Sequence, residues 1–455
     1  MKIFKKLITS ILCFVILFSS CFFLVGCGNR EEVLRLYVPG EYIPDEVLTG
    51  FEEWYLEQTG KPIKVQKKEF DSNETMYTMV AVKRQDFDVI CPSDYMIERL
   101  INEKLLLTID DETSSVIKNA VLGEENSDGT YPNETFASLI NNFDPNFDYT
   151  APYMWGTMGI LYYFDDVDPE DPTFKEAVKQ ADEEKSSWTE LFNVDEQKIY
   201  MKDSERDSYT VALFNHYYEN LLEYLGVDPI ERDFTDAAYD NPEYQALLKS
   251  IFTAGDNITE KIAYAEESLK NQKKYVYDYE TDEGKDDLLT SKGAEGYYGT
   301  FWSCDAGYIM ADWSSGDVVY NENFRYIVPN EGSNVWVDGF CIPKYAGNKT
   351  GAEMFMQYMA DPDVAFDCMD YAGCTSAVYQ TTLDYEKYLR TEDDVFAETS
   401  EAFQAMYLSL LLPHLDIKVG NFEFKSPLKR CGIMRDLGSK ASDELLIMWS
   451  ILRRY

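Results

Sequence analysis

An alternation of strand-like and helix-like segments near the start of the chain constrains the fold most. Residues 33–37 read as a strand, an amphipathic helix follows over 44–58, and 63–70 alternates apolar and polar side chains. A helix over 73–83 leads into a third, apolar strand at 87–91. The order β-α-β-α-β predicts a parallel, doubly wound sheet.

A second series of strands and helices begins near residue 157. Strands are predicted over 157–164, 198–201, 307–310, 325–328 and 335–343, and helices over 208–225, 241–253, 259–273 and 351–359. The acidic, polar stretch 275–287 is expected to be an exposed insertion. Two α/β series that cross back and forth predict two lobes that share more than one connection.

The first 27 residues have the pattern of an export signal. Three lysines stand within the first six residues, an apolar run follows over 7–25, and Gly26 precedes Cys27. The string Leu-Val-Gly-Cys at 24–27 resembles the lipobox of bacterial lipoproteins, in which the cysteine is acylated and the chain is cut before it. A plain transmembrane anchor is the alternative, and both place the remaining chain outside the cytoplasmic membrane.

The charge of the chain narrows its classes of partner. There are 82 acidic and 41 basic residues, and the formal net charge is −41. Nucleic acid is excluded as a partner because phosphates need a basic surface. Anionic lipid is repelled as well, so a membrane anchor must be covalent. An acidic surface favours cationic partners, although solubility alone would also explain it.

Cysteine and histidine usage predicts neither a metal site nor a cofactor. The six cysteines after Cys27 are scattered and include no Cys-x-x-Cys pair, and a disulfide that involves Cys368 or Cys374 stays open. His216 and His414 are the only histidines. Both lie in aromatic or apolar helical surroundings, so we interpret them as structural rather than catalytic.

Aromatic and acidic side chains follow the predicted strands, where open parallel sheets hold their ligands. The candidate ligand-binding residues are Glu41, Tyr42, Ser93, Asp94, Tyr95, Asp207, Trp313, Trp336 and Asp338. Carboxylates pair with ammonium groups and aromatic faces cover methylenes, so the set suits a flexible polyamine. Taken singly, Asp94 and Asp207 would also serve as helix caps, and Trp313 and Trp336 as core aromatics.

Four strings of residues resemble the spermidine/putrescine-binding proteins of polyamine ABC importers. They are Gly-Glu-Tyr-Ile-Pro at 40–44, Ser-Asn-Glu-Thr-Met-Tyr at 72–77, Pro-Ser-Asp-Tyr at 92–95 and Trp-Val-Asp-Gly-Phe at 336–340. The resemblance implies a two-lobed type II periplasmic-binding-protein fold, α/β in class, with a doubly wound sheet in each lobe and hinge crossovers between them. It also implies a ligand held between aromatic rings and carboxylates.

The resemblance implies domain boundaries and roles for individual residues. A signal peptide covers 1–26, lobe one covers 27–155 and 336–385, and lobe two covers 156–335, with the acidic insertion near 275–290, and 386–455. Asp338 would meet an inner amine and Asp207 a terminal one. Three positions depart from the family pattern, because Pro39 and Cys374 replace aromatic residues and Ser204 replaces a carboxylate.

These observations predict a binding protein rather than an enzyme. The expected function is a monomeric, lipid-anchored receptor at the cell membrane that captures putrescine or spermidine and delivers it to the transmembrane subunits of an ABC permease. One alternative is a receptor for another small organic cation or metabolite on the same fold. A secreted carbohydrate-active hydrolase with paired carboxylates is the alternative from a different class.

Overall fold

The computed structural model describes residues 31–164, 171–192, 199–229, 232–280, 298–312 and 318–454. Two of the candidate residues, Cys27 and Trp313, lie outside these ranges. Within them, no helix combines the length and apolar character needed to cross a membrane.

Sixteen strands are described. They are β1 (Glu32–Pro39), β2 (Ile63–Phe70), β3 (Val89–Ile90), β4 (Leu106–Leu107), β5 (Thr150–Tyr163), β6 (Ile199–Lys202), β7 (Val276–Glu280), β8 (Tyr298–Trp302), β9 (Ala311–Asp312), β10 (Val319–Tyr320), β11 (Phe324–Ile327), β12 (Ser333–Pro343), β13 (Thr375–Ser376), β14 (Ile417–Val419), β15 (Phe422–Phe424) and β16 (Cys431–Ile433).

The α-helices of the described residues surround these strands. They are α1 (Asp45–Thr59), α2 (Asn73–Tyr77), α3 (Asp94–Asn102), α4 (Asp111–Leu122), α5 (Glu134–Ile140), α6 (Phe174–Lys185), α7 (Glu205–Leu225), α8 (Pro242–Phe252), α9 (Ile258–Gln272), α10 (Ser303–Met310), α11 (Lys349–Met359), α12 (Pro362–Ala372), α13 (Tyr379–Thr391), α14 (Asp394–Ala397), α15 (Glu401–Leu411) and α16 (Ser439–Leu452).

One continuous sheet runs through the molecule in the order β2-β1-β3-β12-β5-β8-β6-β7. The flanking strands are parallel: β1 pairs with β2 and β3, and β6 pairs with β7 and β8. The two central strands, β5 and β12, pair antiparallel with each other. The predicted α/β class and two-lobed architecture are therefore confirmed, with parallel flanks joined by an antiparallel centre.

Buried side chains form two hydrophobic cores that divide the sheet between them. The first core surrounds β1, β2 and β3 and includes side chains of α1, α3, α11 and α15. The second surrounds α7, α8, α9 and α16. We call the two parts lobe one and lobe two. The long strand β5 contributes to both cores, and the residue boundaries predicted for the lobes stay a prediction.

Two segments differ from the sequence-based expectation. Residues 307–310 were expected to form a strand but belong to the helix α10, whose side chains are almost all buried. An apolar run that is buried on every side carries no periodicity to separate helix from strand, so that prediction was wrong. The expected insertion begins with β7, which pairs with β6, whereas 281–297 lie outside the described residues.

A disulfide joins Cys304 in α10 to Cys374, which follows the end of α12. Two glycines permit the close approach of these backbones. A side chain on Gly307 would collide with the carbonyl of Gly373, and Gly373 itself has a φ of +65°. Disulfides persist in oxidising compartments, which fits the predicted export of the chain.

We predict that reduction of this disulfide destabilises the protein. The bond closes a loop with a sequence separation of 70 residues, so its loss should lower the free energy of unfolding by about 2–4 kcal/mol. Denaturant titration of residues 28–455 with and without a phosphine reductant measures the difference. The Cys304→Ser/Cys374→Ser variant is the control and should not respond to the reductant. Equal stability of the wild type in both conditions would contradict the prediction.

Candidate ligand-binding cleft

Three side chains from two strands share one face of the central sheet. Asp338 and Trp336 of β12 pair with Met154 and Gly156 of β5. On the other edge of β5, Trp302 of β8 pairs with Met158. Directly paired residues face the same side, and residues two apart along a strand do so as well. Asp338, Trp336 and Trp302 therefore form a row along β5, about 13 Å long by strand rise.

Gly156 makes room for the middle of this row. A side chain at Gly156 would collide with the ring of Trp336 and with the hydroxyl of Ser303. Ser303 directly follows Trp302, and its hydroxyl accepts a hydrogen bond from the Thr157 amide at 3.1 Å. The absence of a side chain thus lets the Trp336 ring pack beside the start of α10, with only 9% of the residue exposed.

Asp338 is the acidic group at the lobe-one end of the row. Its Oδ2 accepts a hydrogen bond from the Tyr42 hydroxyl at 2.7 Å, whereas the buried Oδ1 has no hydrogen-bond partner among the described residues. Burial raises the pKa of Asp338 to about 6, against the opposing effect of the Ser93 and Tyr42 hydroxyls. The site therefore holds a carboxylate oxygen that is ready for a donor from outside the protein.

The lobe-one loops fix the partners of Asp338. The Tyr153 hydroxyl donates to the Tyr42 carbonyl at 2.6 Å, and the two rings meet edge to face. The amide of Asn73 donates to the Ser93 hydroxyl at 3.0 Å, and the Ser93 amide donates back to Asn73 at 3.1 Å. Glu41, which precedes Tyr42 in the chain, is exposed, and its φ of +49° lies in the left-handed region.

Asp94 has both of its carboxylate oxygens engaged by the protein. Oδ1 accepts from the Tyr95 amide at 2.6 Å at the start of α3, and Oδ2 accepts from the Val337 amide at 3.1 Å. The residue is 1% exposed, and burial raises its pKa well above the usual range of a carboxyl group. Because Val337 lies between Trp336 and Asp338, Asp94 holds the strand segment that carries both.

Asp207 forms the acidic group of lobe two. Its amide is capped by the Ser204 hydroxyl at 3.2 Å, and its Oδ2 accepts from the indole of Trp302 at 3.1 Å. Burial raises the pKa of Asp207, and the Ser204 hydrogen bond and the Lys202 charge oppose that shift. Ser204 is therefore the N-cap residue of α7. Asp207 itself lies at the Trp302 end of the row.

The two lobes contact each other at Tyr95. The Arg206 guanidinium of α7 lies 4.4 Å from the centre of the Tyr95 ring, and the Tyr95 hydroxyl donates to Glu74 at 3.0 Å. Nearby, Arg435 of lobe two donates two hydrogen bonds to Glu98 of α3, at 2.5 and 3.0 Å. The lobes therefore touch on the α3 side of the cleft.

The structure adds Trp302 and Asn334 to the candidate site, and it places Asp203 in contact with residues outside the site. Trp302 was missed because its strand was not recognised in the sequence. Asn334 was missed too, although it lies two residues before Trp336 and the alternation of β12 would have indicated it. Asp203, the carboxylate next to Ser204, does not belong to the row, because it binds the indole of Trp449 and the guanidinium of Arg453, each at 3.0 Å.

We predict that Asp338→Asn stabilises the ligand-free protein at alkaline pH. The pKa of Asp338 is raised from 3.8 to about 6 in the folded state, so ionisation of this carboxyl group lowers the free energy of unfolding. This destabilisation is absent below pH 4, where the group is protonated, and complete above pH 7, where it is ionised. Asparagine removes that charge and still accepts from Tyr42. The variant should therefore gain about 1–3 kcal/mol at pH 8.

Thermal or denaturant unfolding at pH 8 and pH 4 measures this gain, which should shrink toward zero at pH 4. Tyr42→Phe is the control, because it removes a hydroxyl partner and keeps the charge, and it should lose stability at pH 8. A lower stability of Asp338→Asn than of the wild type at pH 8 would contradict the prediction.

Comparison with known proteins assigns the family. The model for bacterial extracellular solute-binding proteins matches residues 51–388. The spermidine/putrescine-binding periplasmic protein of Salmonella typhimurium is 26% identical over 350 residues, which are 76% of this chain and 78% of that protein. The putrescine-binding periplasmic protein PotF of Escherichia coli is 23% identical, over 85% of this chain and 89% of its own length.

Solved structures agree on the fold. The spermidine/putrescine ABC transporter substrate-binding protein PotD of Streptococcus pneumoniae superposes with a TM-score of 0.56 at 23% identity, and covers 93% of this chain and 99% of its own. The TpPotD lipoprotein of Treponema pallidum gives a TM-score of 0.60 at 18% identity, over 93% and 100%. The chain belongs to the bacterial extracellular solute-binding protein family, whose members bind solutes rather than transform them.

Proposed function

We propose that this protein is the polyamine receptor of an ABC importer and that it binds an ammonium group of its ligand at Asp338. The buried Oδ1 of Asp338, which has no hydrogen-bond partner within the described part of the chain, carries the proposal. An ammonium group would donate to this oxygen and pair with its charge, and hydrogen bonds between charged groups are the strong ones.

The remainder of the row suits the alkyl part of a polyamine. Trp336 and Trp302 lie on the same face as Asp338, and their rings would cover methylenes and hold a cation over their faces. Relatives that are 23–27% identical carry the names spermidine/putrescine-binding and putrescine-binding protein, which supports the same class of ligand.

The family implies a solute ligand and an ABC transporter partner, and it places the protein outside the cytoplasm. We extend this to a monomeric receptor that is held at the cell membrane by acylation of Cys27. Two acyl chains on one cysteine are sufficient for stable anchoring. The hydrolase alternative is set aside because the family is one of binding proteins. A receptor for another organic cation remains the second candidate, since Asp338 would bind any ammonium group.

We predict that purified residues 28–455 bind a polyamine at low salt. Putrescine, spermidine and spermine should each be titrated by calorimetry, with thermal shift as a second readout. At a hundredfold excess over Kd, the ligand should add about 2.7 kcal/mol to the free energy of unfolding. Affinity should fall as the pH is lowered through about 6, because Asp338 then takes up a proton. No heat and no thermal shift at millimolar polyamine would refute the proposal.

Two variants separate the site from its support. Asp338→Asn should weaken binding at least tenfold, because removal of one partner of a desolvated charge pair costs about 2–5 kcal/mol. Asp94→Asn is the matched control, because Asp94 is a buried aspartate at the start of α3 that binds the strand segment carrying Asp338. Both oxygens of Asp94 are already held by the Tyr95 and Val337 amides, so this variant should change affinity less than Asp338→Asn does. Wild-type affinity in Asp338→Asn would place the ammonium elsewhere.

We predict that Cys27 carries the membrane anchor. Wild-type protein should incorporate a fatty-acid probe in cells and partition into the detergent phase, because two acyl chains hold it in the bilayer. Cys27→Ser should do neither. Equal labelling of both proteins would contradict acylation of Cys27 and favour a transmembrane anchor over residues 7–25.

A further inference from the structure

We infer that Lys202 determines specificity in this cleft, which would prefer a diamine whose far nitrogen is acylated over one with two free ammonium groups. The inference rests on the proposed function, because it takes one ammonium group to bind at Asp338. It assigns the opposite end of the ligand to an uncharged amide. The side chains between Asp338 and Asp207 create this difference between the two ends of the cleft.

Lys202 brings a cation of the protein itself to the Asp207 end of the row. The residue ends β6 and is 2% exposed. Its ammonium group lies 2.8 Å from an Asp305 carboxylate oxygen and 4.1 Å from the centre of a ring of Trp302. A carboxylate and an indole face are the two features that recognise an ammonium group in a ligand. Here the protein supplies that group itself.

The position of Lys202 acts against a second ammonium group from the ligand. The Trp302 ring that Lys202 contacts also donates its indole N–H to Asp207 at 3.1 Å. A ligand ammonium at Asp207 would therefore lie near the Lys202 charge, inside a buried site where like charges are poorly screened. Asp207 has neighbouring positive charge already.

Arg206 has the same effect on the other side of Asp207. Its guanidinium covers the Tyr95 ring at 4.4 Å, and it is 5% exposed. The rings of Tyr95 and Trp302 thus each carry a cation from the protein, and both of these charges act on Asp207. At the opposite end, the hydroxyls of Tyr42 and Ser93 lie against Asp338, and the nearby charged group is the carboxyl of Asp94 rather than a cation. The two ends of the row differ in the charge that they can accept.

Farther along β12 from Asp338, the strand offers one donor and one acceptor to a ligand. The buried indole Nε1 of Trp336 and the buried Oδ1 of Asn334 have no hydrogen-bond partner among the described residues. Both side chains lie on the face that carries Asp338. An ammonium group has no acceptor for Trp336, because it only donates. A secondary amide has both, since its carbonyl can accept from Trp336 and its N–H can donate to Asn334.

The spacing along β12 fits such a ligand. Positions two apart on a strand are separated by about 7 Å, so Asp338 lies one such step from Trp336 and two from Asn334. A short alkyl chain can therefore span from an ammonium group at Asp338 to an amide between Trp336 and Asn334. N-acetylputrescine has this order of groups, and putrescine replaces the amide by a second ammonium.

The test compares N-acetylputrescine, putrescine and butylamine by calorimetry on residues 28–455 at pH 8. N-acetylputrescine should bind wild-type protein at least tenfold more tightly than putrescine does, and more tightly than butylamine, which has no amide. If putrescine binds as tightly as N-acetylputrescine or more tightly, the inference is overturned and the proposed function stands. If none of the amines binds, both are overturned.

Two variants test the mechanism. Lys202→Met combined with Asp305→Asn removes both members of the buried ion pair and so leaves no unpaired charge. It should reduce the preference for N-acetylputrescine over putrescine at least tenfold. Trp336→Phe keeps a ring and removes the indole donor, so it should weaken N-acetylputrescine tenfold and butylamine less than twofold. Melting curves establish that each variant is folded. An unchanged ligand ratio in the double variant, or equal losses for both ligands in Trp336→Phe, would overturn the inference.

Discussion

The antiparallel pairing of β5 with β12 is the contact on which the rest of the structure depends. Both strands are almost entirely buried, and β5 contributes side chains to both hydrophobic cores. The same pairing sets which residues share the face of the cleft, because Asp338 and Trp336 are opposite Met154 and Gly156. A slip of one residue would turn the whole set to the opposite face, so the register that joins the lobes also brings the candidate site residues together.

Asp94 and Asp338, which lie on neighbouring segments, differ in how the protein uses their carboxylate oxygens. Both oxygens of Asp94 accept hydrogen bonds from backbone amides, one in α3 and one in β12, and these bonds stabilise the fold. Asp338 has one oxygen bound to Tyr42 and one without a partner in the described residues. A buried polar atom without a partner costs free energy. Such a cost is expected where the partner is a ligand, because binding then recovers it.

The acidic surface of the chain and the charges inside the cleft act on a ligand at different distances. The net charge of −41 attracts cations to the protein from a distance. Inside the candidate cleft, the charges of Lys202, which is paired with Asp305, and of Arg206 oppose the rise in the pKa of Asp207 that burial causes. In the proposed function, the acidic surface attracts a cationic ligand over a distance, and these few side chains select which of its ends is accepted.

Sequence alone determined the features that depend on local pattern. Alternation and strand-helix order specified the α/β class, and the two-residue spacing of Trp336 and Asp338 placed both on one face of a strand. Tertiary structure decided the partners. Asp94 reaches the Val337 amide across 243 residues, Trp302 reaches Asp207 across 95, and Lys202 reaches Asp305 across 103. Periodicity reports which side of its own element a residue occupies, but the partner of a buried charge is set by the packing of distant segments, which no local pattern records.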